Sequence, residues 1–237
     1  MRFALRTDVG CVRTLNEDAA YAGGNLFLVC DGMGGHNAGE IASAMAVRVF
    51  SGEMRMCRWI DGASMRRAVE RANSAVHARS RCVEQYSGMG TTFTALALGN
   101  GSAYIAHVGD SRAYLIRNGA IMRVTVDHTL VEELVLRGVI TPREARVHPK
   151  RNYITRALGT GERVEVDLVQ LNVRAGDVFL LCYDGLSNHV EERDMLQVTQ
   201  SDIGWEEKLQ QAVQAALDDG GSDNITAMYV VTGEEDR

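Results

Sequence analysis

Two apolar segments, far apart in the chain, each lead into an acidic residue followed by glycine. Residues 26–30 form a continuous apolar run that ends at Asp31-Gly32, and residues 178–183 end in the same way at Asp184-Gly185. Continuous apolar runs of this length are typical of strands that are buried on both faces. A carboxylate buried at the end of such a strand is costly unless it is paired or holds a cation. The repeated arrangement therefore favours a site at which acids from two central strands meet.

Other acids also stand next to predicted strands. Asp110 follows residues 103–108, Asp223 precedes residues 224–232, and Glu17-Asp18 begins a short strand. Such carboxylates can converge on one edge of a sheet sandwich, and hard cations such as Mg²⁺ and Mn²⁺ prefer oxygen ligands of this kind. Each Asp-Gly taken alone is also typical of a plain turn or a helix N-cap. The fully apolar runs before the acids favour the metal site over the turn.

The remaining patterns predict hairpin-linked strands and amphipathic helices. Strands are predicted at residues 2–8, 18–23, 25–30, 92–98, 103–108, 113–117, 120–125, 164–171, 177–182 and 224–232. Apolar residues recur at helical spacing in residues 38–50, 63–86 and 205–217, and shorter helices are predicted at 130–137 and 141–147. Hairpins imply antiparallel sheets and amphipathic helices imply covering layers. The sequence thus predicts an α+β fold of layered sheets and helices.

Composition limits the domain count and the partners. The chain has 237 residues, 46% of them hydrophobic, without a Pro/Ser-rich linker, so we predict one domain over residues 1–237. The net charge of -6 argues against nucleic acid or an anionic membrane as partner, despite a basic stretch at 143–156. No apolar run reaches the roughly 20 residues that span a bilayer, and no signal peptide is evident. The five scattered cysteines favour a reducing, cytoplasmic location.

Eight short motifs occur in a characteristic order along the chain. They are RTLNEDA, DGMGGHNAGE, MGTTFTAL, AHVGDSRAYL, DHTL, TRALG, DGLSNHV and GGSDNIT. Together they resemble the bacterial metal-dependent serine/threonine protein phosphatases of the 2C type (PPM family), over residues 3 to about 232. The resemblance implies a four-layer αββα sandwich of two antiparallel sheets flanked by helices. It also implies a flap-like insert at about residues 127–160.

The resemblance further implies two Mn²⁺ or Mg²⁺ ions and a third, weaker site. Asp31 would bridge the two ions, and the carbonyl of Gly32 would bind one of them. The other implied metal ligands are Asp18, Asp110, Asp184 and Asp223, with Asp110 at the third site.

Further residues are implied to support the metals or the reaction. Arg13 would bind the substrate phosphate, Glu17 would act partly through water, and Asn224 would support the neighbouring aspartate. His36 is the histidine expected to take part in the chemistry, with helix capping or metal support as the alternative, whereas His107 and His128 are expected to be structural. The chain departs from its bacterial relatives at Tyr183, where they usually carry serine.

The implied activity is hydrolysis of phosphoserine and phosphothreonine in proteins by a hydroxide that bridges the two metal ions. The enzyme would act in signal transduction against a bacterial Ser/Thr kinase. Two alternatives stay open: a phosphoprotein-binding module without catalysis, and a phosphomonoesterase that acts on a non-protein substrate. We expect a cytoplasmic monomer. We expect no nucleic-acid partner because the net charge is negative, and no membrane partner because the sequence stops at Arg237 without the membrane-anchoring tail of some bacterial relatives.

Overall fold

The computed structural model describes residues 1–34 and 38–236. The strands are β1 (Arg2–Asp8), β2 (Asp18–Gly23), β3 (Leu26–Met33), β4 (Gly90–Thr91), β5 (Phe93–Gly99), β6 (Ser102–Val108), β7 (Arg112–Arg117), β8 (Ala120–Arg123), β9 (Asp167–Asn172), β10 (Val178–Cys182) and β11 (Ile225–Val231). The α-helices are α1 (Gly39–Met56), α2 (Gly62–Cys82), α3 (Leu130–Leu136), α4 (Pro142–Arg146), α5 (Asp184–Ser187), α6 (Glu192–Gln200) and α7 (Trp205–Asp218). None of these helices is long and apolar enough to cross a membrane.

The strands form two antiparallel sheets. Sheet I has the order β1-β11-β10-β7-β8, and sheet II has the order β2-β3-β5-β6-β9, with the short β4 paired to β3. The inner faces of the two sheets pack on each other, α1 and α2 cover the outer face of sheet II, and α5, α6 and α7 cover that of sheet I. The four-layer αββα prediction is confirmed.

The two apolar runs are interior strands, β10 at the centre of sheet I and β3 second in sheet II, and both of their faces are buried. In β3, Phe27 and Val29 face sheet I, whereas Leu28 packs against the helices of sheet II. In β10, Phe179 faces sheet II and Leu180 packs against the outer helices. Since successive side chains of a strand point to opposite faces, burial on both faces requires an uninterrupted apolar sequence.

The long elements lie close to their predicted bounds, and the differences occur at their ends. The first apolar strand does not stop at its acid, because β3 continues through Asp31 to Met33. The second long helix ends at Cys82 rather than at residue 86, because the backbone at Val83 is extended and a 3₁₀ turn follows. Two helices, α5 and α6, were not predicted. Each is short, and α5 consists of only four residues, too few to show a helical period.

Residues 127–160, the segment predicted to form a flap-like insert, are anchored to the rest of the fold at both ends. Arg112 of β7 makes a bidentate ion pair with the buried Asp127, where the insert begins. Within the insert, Thr129 bridges to Ile154, and Leu158 returns to pair with Thr91. The helices α3 and α4 stand between these anchors. The insert therefore leaves the sandwich and rejoins it at the same end of the sheets.

Packing between the two sheets should dominate the stability of the fold. Phe179 is completely buried in that layer, whereas Phe3 on the edge strand β1 is 45% exposed. We expect Phe179→Ala to lower the free energy of unfolding by about 3–5 kcal/mol, because it removes buried surface and leaves a cavity. Phe3→Ala, the matched control, should lower it by much less. Urea denaturation of both variants measures the difference, and equal losses would contradict this account of the core.

Candidate metal centre

Five aspartates reach one end of the sandwich from separate elements. Asp18 of β2 lies directly opposite Asp31 of β3 in the strand register. Asp184 is the first residue of α5 after β10, Asp223 precedes β11, and Asp110 lies between β6 and β7. Like-charge repulsion from the other four acids raises the pKa of Asp31, so all of them stand close to it. The fold therefore brings these five aspartates together, as the sequence predicted.

Burial makes this cluster costly to ionise. Loss of hydration is the largest cause that raises the pKa of Asp31 well above its ordinary value, and repulsion from neighbouring carboxylates adds to it. The same two causes raise the pKa of Asp18 to about 8 and that of Asp110 to about 8. The pKa of Asp184 is also raised, first by burial and then by Asp223. Such a group of acids is stable only when it binds protons or a cation.

Some carboxylate oxygens in the cluster have no protein partner. Asp18 Oδ2 accepts a hydrogen bond of 2.7 Å from the hydroxyl of Thr226, but Asp18 Oδ1 is buried without a partner among the described residues. The same is true of Glu40 Oε2 in the first turn of α1. Buried polar atoms are normally satisfied, and these oxygens are hard ligands. The donor set therefore fits Mg²⁺ or Mn²⁺.

Two side chains of the cluster, those of Asp184 and Asp223, contact other residues. Asp223 Oδ2 lies 2.9 Å from the guanidinium of Arg13, and Asp184 Oδ2 accepts a hydrogen bond of 3.2 Å from Asn188. Among residues 1–34 and 38–236, no three acidic, histidine or cysteine side chains are placed to ligate one ion together. Binding of a cation by Asp184 and Asp223 would therefore compete with Asn188 and Arg13 for these oxygens.

The two Asp-Gly glycines are required by close backbone packing. A Cβ atom on Gly32 would lie 2.0 Å from the carbonyl oxygen of Gly39, and one on Gly185 would lie 2.0 Å from that of Asn224. Neither glycine has a positive φ, so neither is needed for a sharp turn. Each glycine instead lets a second backbone segment approach directly beside a cluster acid.

The amino-terminal loop is held against the cluster by Asn224. Its side-chain oxygen accepts from the backbone N–H of Glu17 at 2.8 Å, and its Nδ2 donates to the carbonyls of Val9 and Leu15. Arg13 lies within the loop that these bonds close. Burial and repulsion from Glu40 raise the pKa of Glu17, which places this acid at the edge of the cluster.

Comparison with known proteins identifies the family. The sequence matches the family described as Protein phosphatase 2C over residues 12–227. It is 39% identical to protein phosphatase PhpP of Streptococcus pneumoniae, over 100% of this chain and 99% of that protein. The chain belongs to the protein phosphatase 2C family. It is also 40% identical to the serine/threonine protein phosphatase PstP of Mycobacterium tuberculosis over 96% of this chain, but it spans only 44% of that protein.

Solved structures of this family superpose closely on the chain. The catalytic domain of PstP, solved in complex with two manganese ions, has a TM-score of 0.91 and 39% identity, and the match covers 98% of both chains. A second crystal structure of the mycobacterial phosphatase has a TM-score of 0.92. The family resemblance inferred from the sequence motifs is confirmed.

Two histidines that were expected to be structural are buried in this 2C-family chain. His107 and His128 are buried, and their rings stack 4.8 Å apart. Burial lowers the pKa of His107 to about 4, and its Nε2 lies 3.0 Å from the carbonyl of Val126. His128 Nδ1 accepts from the N–H of Gly109, next to Asp110. His36, predicted to take part in chemistry, lies outside the described residues.

Sequence reasoning missed several side chains that brace the cluster. His189 joins Asp219 at 2.8 Å through Nδ1 and Ser222 at 2.9 Å through Nε2, which fixes the loop immediately before Asp223. His189 is 30 residues from Asp219 and 33 residues from Ser222 in the sequence. The motif GGSDNIT marked the Asp223 loop, but no local pattern pairs it with His189.

The metal-free protein should lose stability as the pH rises from about 4 to about 8, and the fall should be clearest between about pH 6.5 and about pH 8. Asp18 and Asp110 have a pKa of about 8 in the folded chain against an ordinary value of 3.8, so the folded state holds protons that the unfolded state releases. That stabilisation is complete below about pH 4 and is lost as the pH rises through the folded pKa. The low pKa of His107 affects stability only below about pH 6.5. In chelator, the Tm should therefore fall across this range, and Asp110→Asn should flatten the fall.

Mn²⁺ should raise the Tm more at about pH 8.5 than at about pH 6.5, because protons compete with the cation for the same carboxylates. Scanning fluorimetry with chelator or Mn²⁺ measures both effects. A Tm that rises with pH in chelator, or a shift by Mn²⁺ that is larger at the lower pH, would contradict the assignment.

Proposed function

We propose that this protein hydrolyses phosphoserine and phosphothreonine in proteins, using two Mn²⁺ or Mg²⁺ ions and a possible weaker third one. The observation that carries the proposal is the cluster of five aspartates, in which burial and mutual repulsion raise the pKa values of Asp18, Asp31, Asp110 and Asp184 and so favour bound protons or cations. Membership in the protein phosphatase 2C family supports the reaction class. The relatives PstP and PhpP are named as protein phosphatases, which supports a protein substrate.

We assign Asp31, Asp18, Asp184 and Asp223 to the two-ion centre, with the carbonyl of Gly32 as a further ligand and Asp110 at the third site. When bound, the ions supply Lewis acidity toward phosphate oxygens and an activated water as nucleophile. The protein holds these carboxylates in a site shielded from bulk solvent, where charge interactions are strong. Glu17 and Asn224 support the ligands, Asn224 by closing the amino-terminal loop on them.

Arg13 is assigned to the substrate phosphate. Its side chain is 50% exposed, and its guanidinium contacts Asp223 at the edge of the acid cluster. A planar guanidinium can donate two parallel hydrogen bonds to phosphate oxygens. The phosphate-binding position would therefore adjoin the carboxylates without entering the buried layer. His36 keeps its assignment as a participant in the chemistry from the sequence alone.

The proposal extends to the surroundings of the reaction. The partners would be phosphorylated proteins and a cognate Ser/Thr kinase whose products the enzyme reverses. We propose a cytoplasmic monomer of one domain, with the insert at about residues 127–160 beside the substrate. The cysteines support a reducing compartment, since all five are free thiols.

Loss of a cluster acid should abolish turnover without unfolding the chain. We expect Asp31→Asn and Asp184→Ala to lower kcat by about 100-fold or more, since even residues behind metal ligands cost about 10–100-fold. Asp202→Asn, which changes an exposed acid in the loop after α6, is the matched control and should keep full activity. The assay is release of phosphate from a phosphothreonine peptide near pH 8 with Mn²⁺, Mg²⁺ or chelator. Full metal-dependent turnover by Asp31→Asn would refute the assignment.

The substrate class is tested by comparing rates on a phosphoprotein, a phosphopeptide and small phosphate monoesters. A protein phosphatase should have the highest kcat/KM on the phosphoprotein or the phosphopeptide. Higher kcat/KM on a small monoester would favour the phosphomonoesterase alternative. Tight binding of a phosphoprotein without turnover in any metal would favour the binding module.

A further inference from the structure

Tyr183 occupies a position between the two sheets, directly beside the acid cluster. It follows β10 of sheet I, its ring lies in the layer between the sheets, and it is 1% exposed. It directly precedes Asp184. A much shorter side chain would not reach the facing sheet, since packed sheets lie about 10 Å apart.

The hydroxyl of Tyr183 makes two hydrogen bonds to the backbone of sheet II. It accepts from the N–H of Cys30 in β3 and donates to the carbonyl of Ala19 in β2 at 2.8 Å. Ala19 and Cys30 are opposite each other in the register of these two strands. A single side chain of sheet I therefore bridges two adjacent strands of sheet II.

Each residue joined by this hydroxyl is the immediate neighbour of a cluster acid. Ala19 follows Asp18, Cys30 precedes Asp31, and Tyr183 precedes Asp184. The bridge thus connects the backbones that carry three acids, at a distance of one residue from each. Thr226 is the other described cross-sheet contact to these acids, and it bonds only the side chain of Asp18.

Most of the layer between the sheets consists of apolar side chains, among them Val29, Leu181 and Met228. Apolar packing is non-directional and leaves two sheets some freedom to slide. A hydrogen bond loses strength over a few tenths of an ångström and with misalignment, so a pair of them fixes relative position more sharply. Metal ligands from two sheets require that kind of placement, because Mg²⁺ and Mn²⁺ tolerate little error in ligand geometry.

We propose that Tyr183 is a positioning residue that sets the spacing of Asp184 relative to Asp18 and Asp31 through its hydrogen bonds to Ala19 and Cys30. This inference rests on the proposed metal-dependent function of the cluster. According to this inference, the hydroxyl of Tyr183 aligns the two sheets at the metal centre. The ring alone fills space in the core and would not align them.

The test is Tyr183→Phe, which keeps the ring and removes the hydroxyl. The matched control is Tyr229→Phe in the adjacent strand β11. Tyr229 is also completely buried, and its hydroxyl accepts from Thr199 at 3.2 Å, but it packs against the outer helices rather than sheet II. Both variants lose one buried hydroxyl, so general loss of stability is matched between them.

The readouts are the affinity for Mn²⁺ by titration calorimetry, the Mn²⁺ electron paramagnetic resonance spectrum, the Tm in chelator, and kcat with KM. Tyr183→Phe should weaken Mn²⁺ binding by about 10–100-fold, the range typical of residues that orient metal ligands. Its kcat should fall with little change in KM, and the spectrum of the coupled ion pair should change. Tyr229→Phe should lower only the Tm.

Unchanged Mn²⁺ affinity and an unchanged spectrum in Tyr183→Phe would overturn the inference, even if its Tm falls. If the wild-type protein nevertheless shows normal phosphatase activity, the proposed function stays intact. A different outcome separates the two ideas in the other direction. If the wild-type protein binds two Mn²⁺ ions but hydrolyses no phosphomonoester, and Tyr183→Phe binds Mn²⁺ more weakly, the function is refuted and the positioning role is supported. Wild-type protein that binds no Mn²⁺ would refute both.

If Tyr183→Phe does not fold, hydrogen exchange of the wild-type protein in low urea decides the question. The inference requires that residues 18–31 and 178–184 open together, with one dependence on urea, because the hydroxyl joins them. Opening of residues 18–31 while residues 178–184 stay protected would overturn it.

Discussion

Mutual repulsion among buried carboxylates is the constraint on which the rest of this structure depends. Five aspartates stand at one end of a sheet sandwich, and the partial burial of Asp18, Asp31, Asp110 and Asp184 weakens the screening of their mutual repulsion by solvent. Such an arrangement opposes folding unless protons or cations compensate for it. The surrounding structure must therefore supply enough packing and hydrogen bonding to keep the acids together.

The four-layer sandwich supplies that support in two ways. The apolar layers on both sides of β3 and β10 hold the central strands rigidly, since neither strand has a solvent-facing side. Polar braces then fix the ends of those strands: Asn224 closes the amino-terminal loop, His189 holds the loop before Asp223, and Tyr183 joins the sheets. The stability of the fold thus comes mainly from apolar packing, which is non-directional. The geometry of the site comes from hydrogen bonds, which are directional.

Much of the fold follows from local sequence patterns. The long strands and helices, the pair of strands at 113–117 and 120–125, and the α+β class were predicted because apolar periodicity is a local property. Element ends were less well predicted, as at Asp31, where the strand continues because Gly32 permits close packing with Gly39. The short helix α5 was missed because four residues cannot show a helical period. The candidate ligands were found because each adjoins a strand.

The sequence by itself determined which acids end the central strands, which segments are buried on both faces, and which family the motifs indicate. Only the tertiary structure decided that Glu40 lies near Glu17, that Asp223 contacts Arg13, and that His189 reaches Ser222. It also decided that the hydroxyl of Tyr183 bonds Ala19 and Cys30, residues 164 and 153 positions away. Contacts between residues so distant in sequence depend on how the two sheets pack, and no local pattern encodes that relation.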